Sequence, residues 1–201
     1  MTKSERAFNA LAGASILSWA VLGMTATEPS TRLTIVRVGI TLLNLVVGYL
    51  FLVRKPLVRQ AGNLGIILCL PSLIVCGSAF KLALPADEWP AVAQTTFALG
   101  TILAIVSFAY LGRCFAVLPA VRGVVANGPY RIVRHPAYAG ELLMVLGCFL
   151  SNPQPLLACP LVAAVPFIVV RIQVEERLLH REDAYHTYVQ AVRWRLLPGV
   201  W

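Results

Sequence analysis

Charged residues are scarce in this chain of 201 residues. Asp, Glu, Lys and Arg together make up 13% of it, whereas 58% of the residues are hydrophobic and the mean hydropathy is +0.75. A soluble globular domain usually has about 25% charged residues. The composition therefore excludes an ordinary soluble enzyme and indicates an integral membrane protein.

Acidic side chains and paired cysteines are also few. Nine Asp and Glu residues stand against 17 Lys and Arg residues, which gives a formal net charge of +8. The basic residues are spread over several segments without an RNA- or DNA-binding motif, so nucleic acid is not expected as a partner. The five cysteines form no Cys-x-x-Cys pair and no His-Cys grouping with zinc spacing, so no metal site is expected.

Long apolar runs are the main feature of the chain. A helix needs about 20 apolar residues to cross the roughly 30 Å hydrocarbon core of a bilayer. Four such runs lie at residues 7–24, 33–53, 63–84 and 90–112. A fifth apolar region, residues 138–172, is interrupted at 151–155 by Ser-Asn-Pro-Gln-Pro. The interruption predicts a tight helical hairpin, with two separate full spans as the alternative.

These runs predict an all-α integral membrane protein with four transmembrane helices, a C-terminal transmembrane helical hairpin, and a loop and tail on one side. Residues 1–201 are expected to form a single membrane domain, with the spans in 1–112 and the loop, hairpin and tail in 113–201. Basic residues lie before the first run, between the second and third, after the fourth and in the tail. The charged residues of the other two loops are only Arg32 with Glu28 in one, and Asp87 with Glu88 in the other. The positive-inside rule therefore predicts a multi-pass protein whose termini, loop and tail are all cytoplasmic.

The most informative segment, residues 128–143, reads Gly-Pro-Tyr-Arg-Ile-Val-Arg-His-Pro-Ala-Tyr-Ala-Gly-Glu-Leu-Leu. Its ionisable residues lie where an apolar segment enters the bilayer, and polar groups are costly at that depth and tend to mark a site. Tyr130 and Tyr138 can pack on a flat ligand such as a purine, and His135, fixed in place by Pro136, offers a donor and an acceptor. The alternative for this segment is an interfacial belt of aromatic and basic side chains. Glu141 is either a carboxylate favoured by a helix N-terminus or a hydrogen-bond acceptor inside a site.

A second polar cluster, residues 171–176, lies at the far end of the hairpin. Arg171 and Glu175 are four residues apart, so they share one face of a helix. They form either a surface ion pair or two ligand contacts, in which Arg171 holds an anionic group and Glu175 reaches hydroxyls or an ammonium group. A hairpin brings both polar clusters to the same membrane face, and this predicts a site there.

The two blocks together resemble the isoprenylcysteine carboxyl methyltransferase and phospholipid methyltransferase superfamily of integral membrane enzymes. The resemblance covers roughly residues 111–201 and rests on Gly-Pro-Tyr-Arg-x-x-Arg-His-Pro-x-Tyr-x-Gly, Glu-Glu-Arg-Leu-Leu, Tyr-x-x-Tyr and Arg-x-Leu-Pro-Gly. It implies methyl transfer from S-adenosylmethionine to a lipophilic acceptor that enters from the bilayer, at the cytoplasmic face. An isoprenylcysteine carboxylate, a phospholipid amine and a small thiol all fit as the acceptor.

The resemblance also implies roles for individual residues. The loop before the hairpin and the segment after it would bind the cofactor, through Arg122, Gly123, Val124, Val125, Tyr130, His135, Pro136, Ala137, Tyr138 and Glu175. Arg171 would face the acceptor and the methyl group in transit. His135 or Glu141 would matter where an amine or thiol acceptor must lose a proton, and Arg171 and Glu141 are the catalytic candidates. The glutamine that the family uses just upstream of the loop is replaced here by the sequence Cys-Phe-Ala-Val-Leu-Pro, which begins at Cys114.

The alternative function comes from membrane sterol reductases, which carry a related Arg-His-Pro-x-Tyr-x-Gly and a similar Leu-Pro-Gly-aromatic ending but bind NADPH. This chain is short for that group. It also lacks the additional basic and acidic residues expected before the loop for that dinucleotide. A membrane protein that kept the fold without enzymatic activity is a third possibility, and it would be expected to have lost the site residues.

Overall fold

A computed structural model describes residues 1–25 and 34–201 of the chain. The described residues form α1 (Lys3–Thr25), α2 (Ile35–Val53), α3 (Asn63–Leu82), α4 (Ala91–Leu111), α5 (Pro136–Ser151), α6 (Pro155–Leu179) and α7 (Asp183–Ala191). Two-residue strands β1 (Arg59–Gln60) and β2 (Ala120–Val121) pair antiparallel, and short 3-10 turns occur at Gly112–Cys114 and Gly128–Arg131. The predicted all-α class is confirmed. The loop with Glu28 and Arg32, and the first residue of the predicted run 33–53, lie outside the described residues.

Five of the helices are long and apolar enough to cross a membrane. Their spans are Lys3–Met24, Ile35–Val53, Asn63–Leu82, Ala91–Cys114 and Pro155–Leu179. The first four agree within a few residues with the four predicted runs. α1 begins before its apolar run because the Thr2 hydroxyl accepts a hydrogen bond from the Glu5 amide at 3.1 Å and so caps the first turn.

The apolar region 138–172 forms two helices, α5 and α6, that pack on each other. The break falls at Asn152–Gln154, within the Ser-Asn-Pro-Gln-Pro sequence, because a proline cannot continue the hydrogen bonding of the preceding helix. α5 has only 16 residues and is about 24 Å long, which is short for a full span. α6 has 25 residues and continues beyond the predicted arm to Leu179, because Val174 and Leu178 keep an apolar, buried face.

α5 packs most extensively on α4 through small residues. A Cβ atom on Gly140 would lie 2.7 Å from the carbonyl oxygen of Gly100, and one on Gly147 would lie 2.8 Å from the backbone nitrogen of Phe97. Only glycine permits such a close approach of two helix backbones in a membrane. The contact holds the first turns of α5 against the last turns of α4, where the loop between them begins and ends.

The main apolar core lies at the end of the helices opposite that loop. It combines the start of α2 and α4 with the end of α3 and α5, and includes Trp89 and Phe97, whose ring centroids are 5.4 Å apart in an edge-to-face contact. The Trp89 indole nitrogen donates to the Leu84 carbonyl oxygen at 2.6 Å, so its polar atom is satisfied. The packed core closes one end of the bundle and leaves a cavity toward the other.

Candidate functional site

A cavity of about 460 Å³ lies between α2, α3, α4, α5 and α6. Most of its wall consists of apolar side chains of these helices. The polar side chains that line it are Asn44, Tyr130, Arg134, His135, Tyr138, Glu141, Arg171 and Glu175. A cavity of this size with a few convergent polar groups is typical of a small-molecule site.

Arg171 is held at the wall of the cavity by α6. Its side chain is only 7% exposed, and its Nη2 donates to the Val117 carbonyl oxygen at 2.6 Å. Its Nη1 lies 3.5 Å from Glu141 Oε2 and 3.5 Å from the Ser72 hydroxyl. The guanidinium carbon lies 4.9 Å from the centre of the Tyr138 ring. Arg171 is therefore fixed on several sides, while its buried Nε has no hydrogen-bond partner among the described residues.

Glu175 faces the same cavity from the next turn of α6. The Tyr138 hydroxyl donates to Glu175 Oε2 at 2.6 Å, and the His135 ring stacks on the Tyr138 ring with centroids 5.6 Å apart and planes 20° apart. Arg171 pairs with Glu141 rather than with Glu175, so the surface ion pair considered from the sequence is not formed. With one hydroxyl partner among the described residues, the Glu175 carboxylate retains unused acceptor capacity.

Glu176, the next residue, has a different environment. It is 5% exposed, and its carboxylate lies 3.2 Å from Arg134 Nε, 3.2 Å from His135 Nε2 and 2.8 Å from Arg195 Nε. A backbone hydrogen bond adds to this connection between the loop and the C-terminal tail, because the His135 amide donates to the Arg195 carbonyl oxygen at 2.8 Å. Glu176 thus fastens the C-terminal tail to the loop that lines the cavity.

Three tyrosines pack beneath the loop and support its position. Tyr130 lines the cavity, and Tyr185 and Tyr188 of α7 pack behind it. The Tyr188 hydroxyl donates to the Tyr130 carbonyl oxygen at 2.7 Å. Burial raises the pKa values of the Tyr130, Tyr185 and Tyr188 hydroxyls above the ordinary value of a tyrosine. All three therefore remain neutral phenols at physiological pH.

The structure brings most of the predicted site residues together. Those that line the cavity are Tyr130, His135, Ala137, Tyr138, Glu141, Arg171 and Glu175. Those that do not are Arg122, Gly123, Val124, Val125 and Pro136. Pro136 is the buried first residue of α5, and Val124 and Val125 pack on the tyrosines beneath the loop. Gly123 is exposed and has a φ of 143°, a conformation that favours glycine.

The side chain of Arg122 points into a separate polar network. Its Nη1 donates to Glu5 Oε1 at 2.9 Å and to the carbonyl oxygen of Lys55. Glu5 Oε1 also accepts from the Leu57 amide at 3.0 Å. Burial, together with the charge of Arg122, lowers the pKa of Arg54 beside this network to about 10. Arg122 therefore joins the loop to α1 and to the connection between α2 and α3.

Sequence reasoning missed several residues of the site. Asn44 gave a usable signal, since a polar side chain inside an apolar run tends to be functional. Glu176 also gave one, because adjacent residues of a helix point about 100° apart and cannot serve the same surface. Val117 gave none, because it contributes only a backbone carbonyl oxygen to Arg171.

Within residues 1–25 and 34–201, no group of three or more His, Cys, Asp and Glu residues has the arrangement to hold a metal ion. All five cysteines are free thiols in the structure.

Comparison with known protein families matches residues 89–185 to the family described as phospholipid methyltransferase. The matched segment contains α4, the loop, α5 and α6, and so includes all the polar side chains that line the cavity except Asn44 of α2. The match confirms the resemblance to the isoprenylcysteine and phospholipid methyltransferase superfamily, and it indicates a methyltransferase that acts on a lipid-type substrate. No curated protein matches the chain.

Proposed function

Because this integral membrane protein carries a phospholipid methyltransferase segment at residues 89–185, we propose that it transfers a methyl group from S-adenosylmethionine to a lipophilic acceptor. The acceptor is an isoprenylcysteine-like carboxylate, a phospholipid amine or a small thiol. The observation that carries the proposal is the cavity itself, in which one wall presents Arg171, Glu141 and Glu175 and the other walls are apolar membrane helices. A polar reacting group and a hydrocarbon chain can therefore occupy the same cavity.

The residues of the cavity fit S-adenosylmethionine in charge and shape. This cofactor carries a cationic sulfonium, an ammonium, a carboxylate and a flat base. The Glu175 carboxylate has spare capacity to accept hydrogen bonds from the ammonium group. Tyr130 and Tyr138 present aromatic rings to the same space. We place the cofactor contacts at Tyr130, His135, Ala137, Tyr138 and Glu175.

The remaining five residues expected at the cofactor lie outside the cavity wall, and their roles stay predictions. Arg122, with its side chain bound to Glu5, is suited to holding the loop and to offering backbone groups. Gly123, Val124 and Val125 extend from it toward Tyr130, and Pro136 begins α5.

When bound, S-adenosylmethionine supplies a methyl group activated by its sulfonium. Arg171 aligns an anionic group of the acceptor, because a fixed guanidinium suits a carboxylate or a phosphate. Glu141, 3.5 Å from Arg171, accepts a proton from an amine or thiol acceptor, whereas a carboxylate acceptor needs no base. The apolar walls keep water from the reacting atoms. Alignment of the two reactants can contribute about 7–11 kcal/mol to lowering the barrier.

We also propose that both termini and the site face the cytoplasm. The contacts of Glu5 with Arg122 and Leu57 support this orientation, since they bring the start of α1, the loop and the connection between α2 and α3 to one end of the molecule. That end carries most of the basic loop residues, which the positive-inside rule assigns to the cytoplasm.

The test is calorimetry on the detergent-purified protein with S-adenosylmethionine, S-adenosylhomocysteine and NADPH in parallel. Saturable binding of the first two alone supports the methyltransferase and is followed by a screen of lipophilic acceptors. Binding of NADPH alone would transfer the chain to the reductases and overturn the residue roles given above.

A further inference from the structure

Asn44 is an amide within the apolar span of α2, and none of the functions above uses it. The span Ile35–Val53 is apolar and long enough to cross a membrane, and Asn44 lies about 14 Å along the helix from its C-terminal end. Its half-buried side chain lines the same cavity as Arg171 and Glu141. It has no hydrogen-bond partner among the described residues, and an unpaired amide inside a membrane is costly. Such a group is suited to contacting a ligand.

Asn44 also lies where the cavity meets a second space. A groove of about 700 Å³ runs between α1, α2 and the end of α3, and its wall is mainly apolar. Ile40, Asn44 and Phe80 line both the cavity and the groove. The cavity and the groove therefore adjoin at Asn44, and the groove is the neighbouring apolar space for a hydrocarbon chain that is too long for the cavity.

From this position we infer that Asn44 is a specificity-determining residue: its amide donates a hydrogen bond to a carbonyl oxygen where the polar part of the acceptor joins its hydrocarbon chain. The inference rests on the proposed methyl transfer. With the reacting group of the acceptor at Arg171 and Glu141 and its hydrocarbon chain in the groove, the first carbon atoms of that hydrocarbon chain lie beside Asn44. Lipids carry many carbonyl acceptors and few donors at that point, so the free NH₂ of an asparagine suits it.

The chemical consequence is a preference for acceptors with ester-linked chains. A lipid whose chains are ether-linked has the same shape but lacks the carbonyl oxygen, and an isoprenyl chain on a thioether lacks it too. One neutral hydrogen bond between the amide and the acceptor corresponds to about a fivefold difference in kcat/KM.

The experiment measures transfer of a labelled methyl group to three probe acceptors in detergent micelles. The probes are a diacyl phosphatidylethanolamine, its ether-linked dialkyl counterpart of equal chain length, and S-farnesylcysteine. Three variants accompany the unmodified protein: Asn44→Leu, Asn44→Gln and Thr95→Val. The last is a matched control, because Thr95 is an exposed polar residue in a span, bonded to the Ala91 carbonyl oxygen and outside both cavities.

We expect the unmodified protein and Thr95→Val to prefer the diacyl lipid about fivefold over the dialkyl lipid. Asn44→Leu should lose that preference through a lower kcat/KM for the diacyl lipid alone, and Asn44→Gln should keep part of it. S-adenosylhomocysteine binding should be unchanged in every variant, which also shows that each one folds.

Four results would overturn the inference. Equal use of both lipids by the unmodified protein, or an equal loss for both in Asn44→Leu, removes the role of the carbonyl contact. Transfer to S-farnesylcysteine alone, unaffected by Asn44→Leu, would refute the inference and leave the proposed methyl transfer standing. Failure to bind S-adenosylhomocysteine together with no transfer to any probe would overturn both.

Discussion

Glu175 and Glu176 are neighbours in α6 whose carboxylates have opposite surroundings. Glu176 is buried among Arg134, His135 and Arg195, with nitrogen atoms at 3.2, 3.2 and 2.8 Å. Glu175 lines the cavity and accepts one hydrogen bond from residues 1–25 and 34–201, donated by the Tyr138 hydroxyl. The same side chain is thus satisfied by the protein in one position and largely unsatisfied in the next.

The difference separates structural from ligand-binding polar groups. A buried carboxylate surrounded by cations is a joint between segments, and removing it leaves those cations unpaired. A carboxylate that lines a cavity and has spare acceptor capacity can accept hydrogen bonds from a ligand. Arg171 lines the same cavity as Glu175, with its Nη2 held by the Val117 carbonyl oxygen.

The largest expected effect is on stability, at the joint. Glu176→Gln should lower the free energy of unfolding by about 3 kcal/mol, because it leaves the buried Arg134 without its carboxylate. Denaturant or thermal unfolding in detergent measures it. The control is Glu182→Gln, which breaks a partly exposed pair with Arg59 at 3.8 Å and should change stability by less than about 1 kcal/mol. Equal effects in both variants would contradict the assignment of Glu176 as a joint.

The second effect is on transfer. Arg171→Ala should lower the rate of methyl transfer at least about a hundredfold, because the acceptor loses its positioned cation. S-adenosylhomocysteine affinity should stay within about threefold, since we assign cofactor binding to other residues. Single-turnover transfer and calorimetry measure the two quantities. Arg177→Ala is the matched control, because Arg177 is exposed on the same helix. Loss of cofactor binding in Arg171→Ala would reassign Arg171 to the cofactor.

The third effect is on cofactor affinity. Glu175→Gln should weaken S-adenosylhomocysteine binding about 10- to 100-fold, because it removes a charge-assisted hydrogen bond. The free energy of unfolding should change by less than about 1 kcal/mol, since Glu175 forms no ion pair within the described part of the chain. Calorimetry and denaturant unfolding on the same preparation measure both. A variant that binds normally but unfolds easily would place Glu175 with the structural groups.

The smallest effect tests how Glu175 is oriented. Tyr138→Phe removes the hydroxyl that donates to Glu175 at 2.6 Å and keeps the ring that stacks on His135. It should weaken S-adenosylhomocysteine binding about fivefold, which corresponds to the loss of one hydrogen bond from an uncharged donor. A loss as large as that of Glu175→Gln would show that the hydroxyl contacts the cofactor directly.

The helices and the meeting of the two polar clusters were predictable from the sequence because both depend on local patterns. Runs of apolar residues set the spans, and Ser-Asn-Pro-Gln-Pro set the turn between α5 and α6. A hairpin with polar clusters at its two open ends must bring them together, which is why Tyr138 and Glu175 meet although they are 37 residues apart.

The other contacts depend on packing between distant segments and left no local pattern. Glu5 and Arg122 are 117 residues apart, so nothing near Arg122 indicates that its side chain turns toward α1. The carbonyl oxygen of Val117 that holds Arg171 is a backbone atom, and any residue type could supply it. The different environments of the Glu175 and Glu176 carboxylates follow from the rotation of α6 relative to the loop. The sequence alone does not determine this rotation.

The most direct test of this difference is thermal unfolding with and without S-adenosylhomocysteine, for the unmodified protein, Glu175→Gln and Glu176→Gln. A ligand that binds only the folded state raises the unfolding temperature. We predict this rise in the unmodified protein and in Glu176→Gln, which starts from a lower temperature, and a much smaller rise in Glu175→Gln at the same ligand concentration. A full rise in Glu175→Gln would contradict the account, because the open carboxylate of the cavity would then have no part in binding the cofactor.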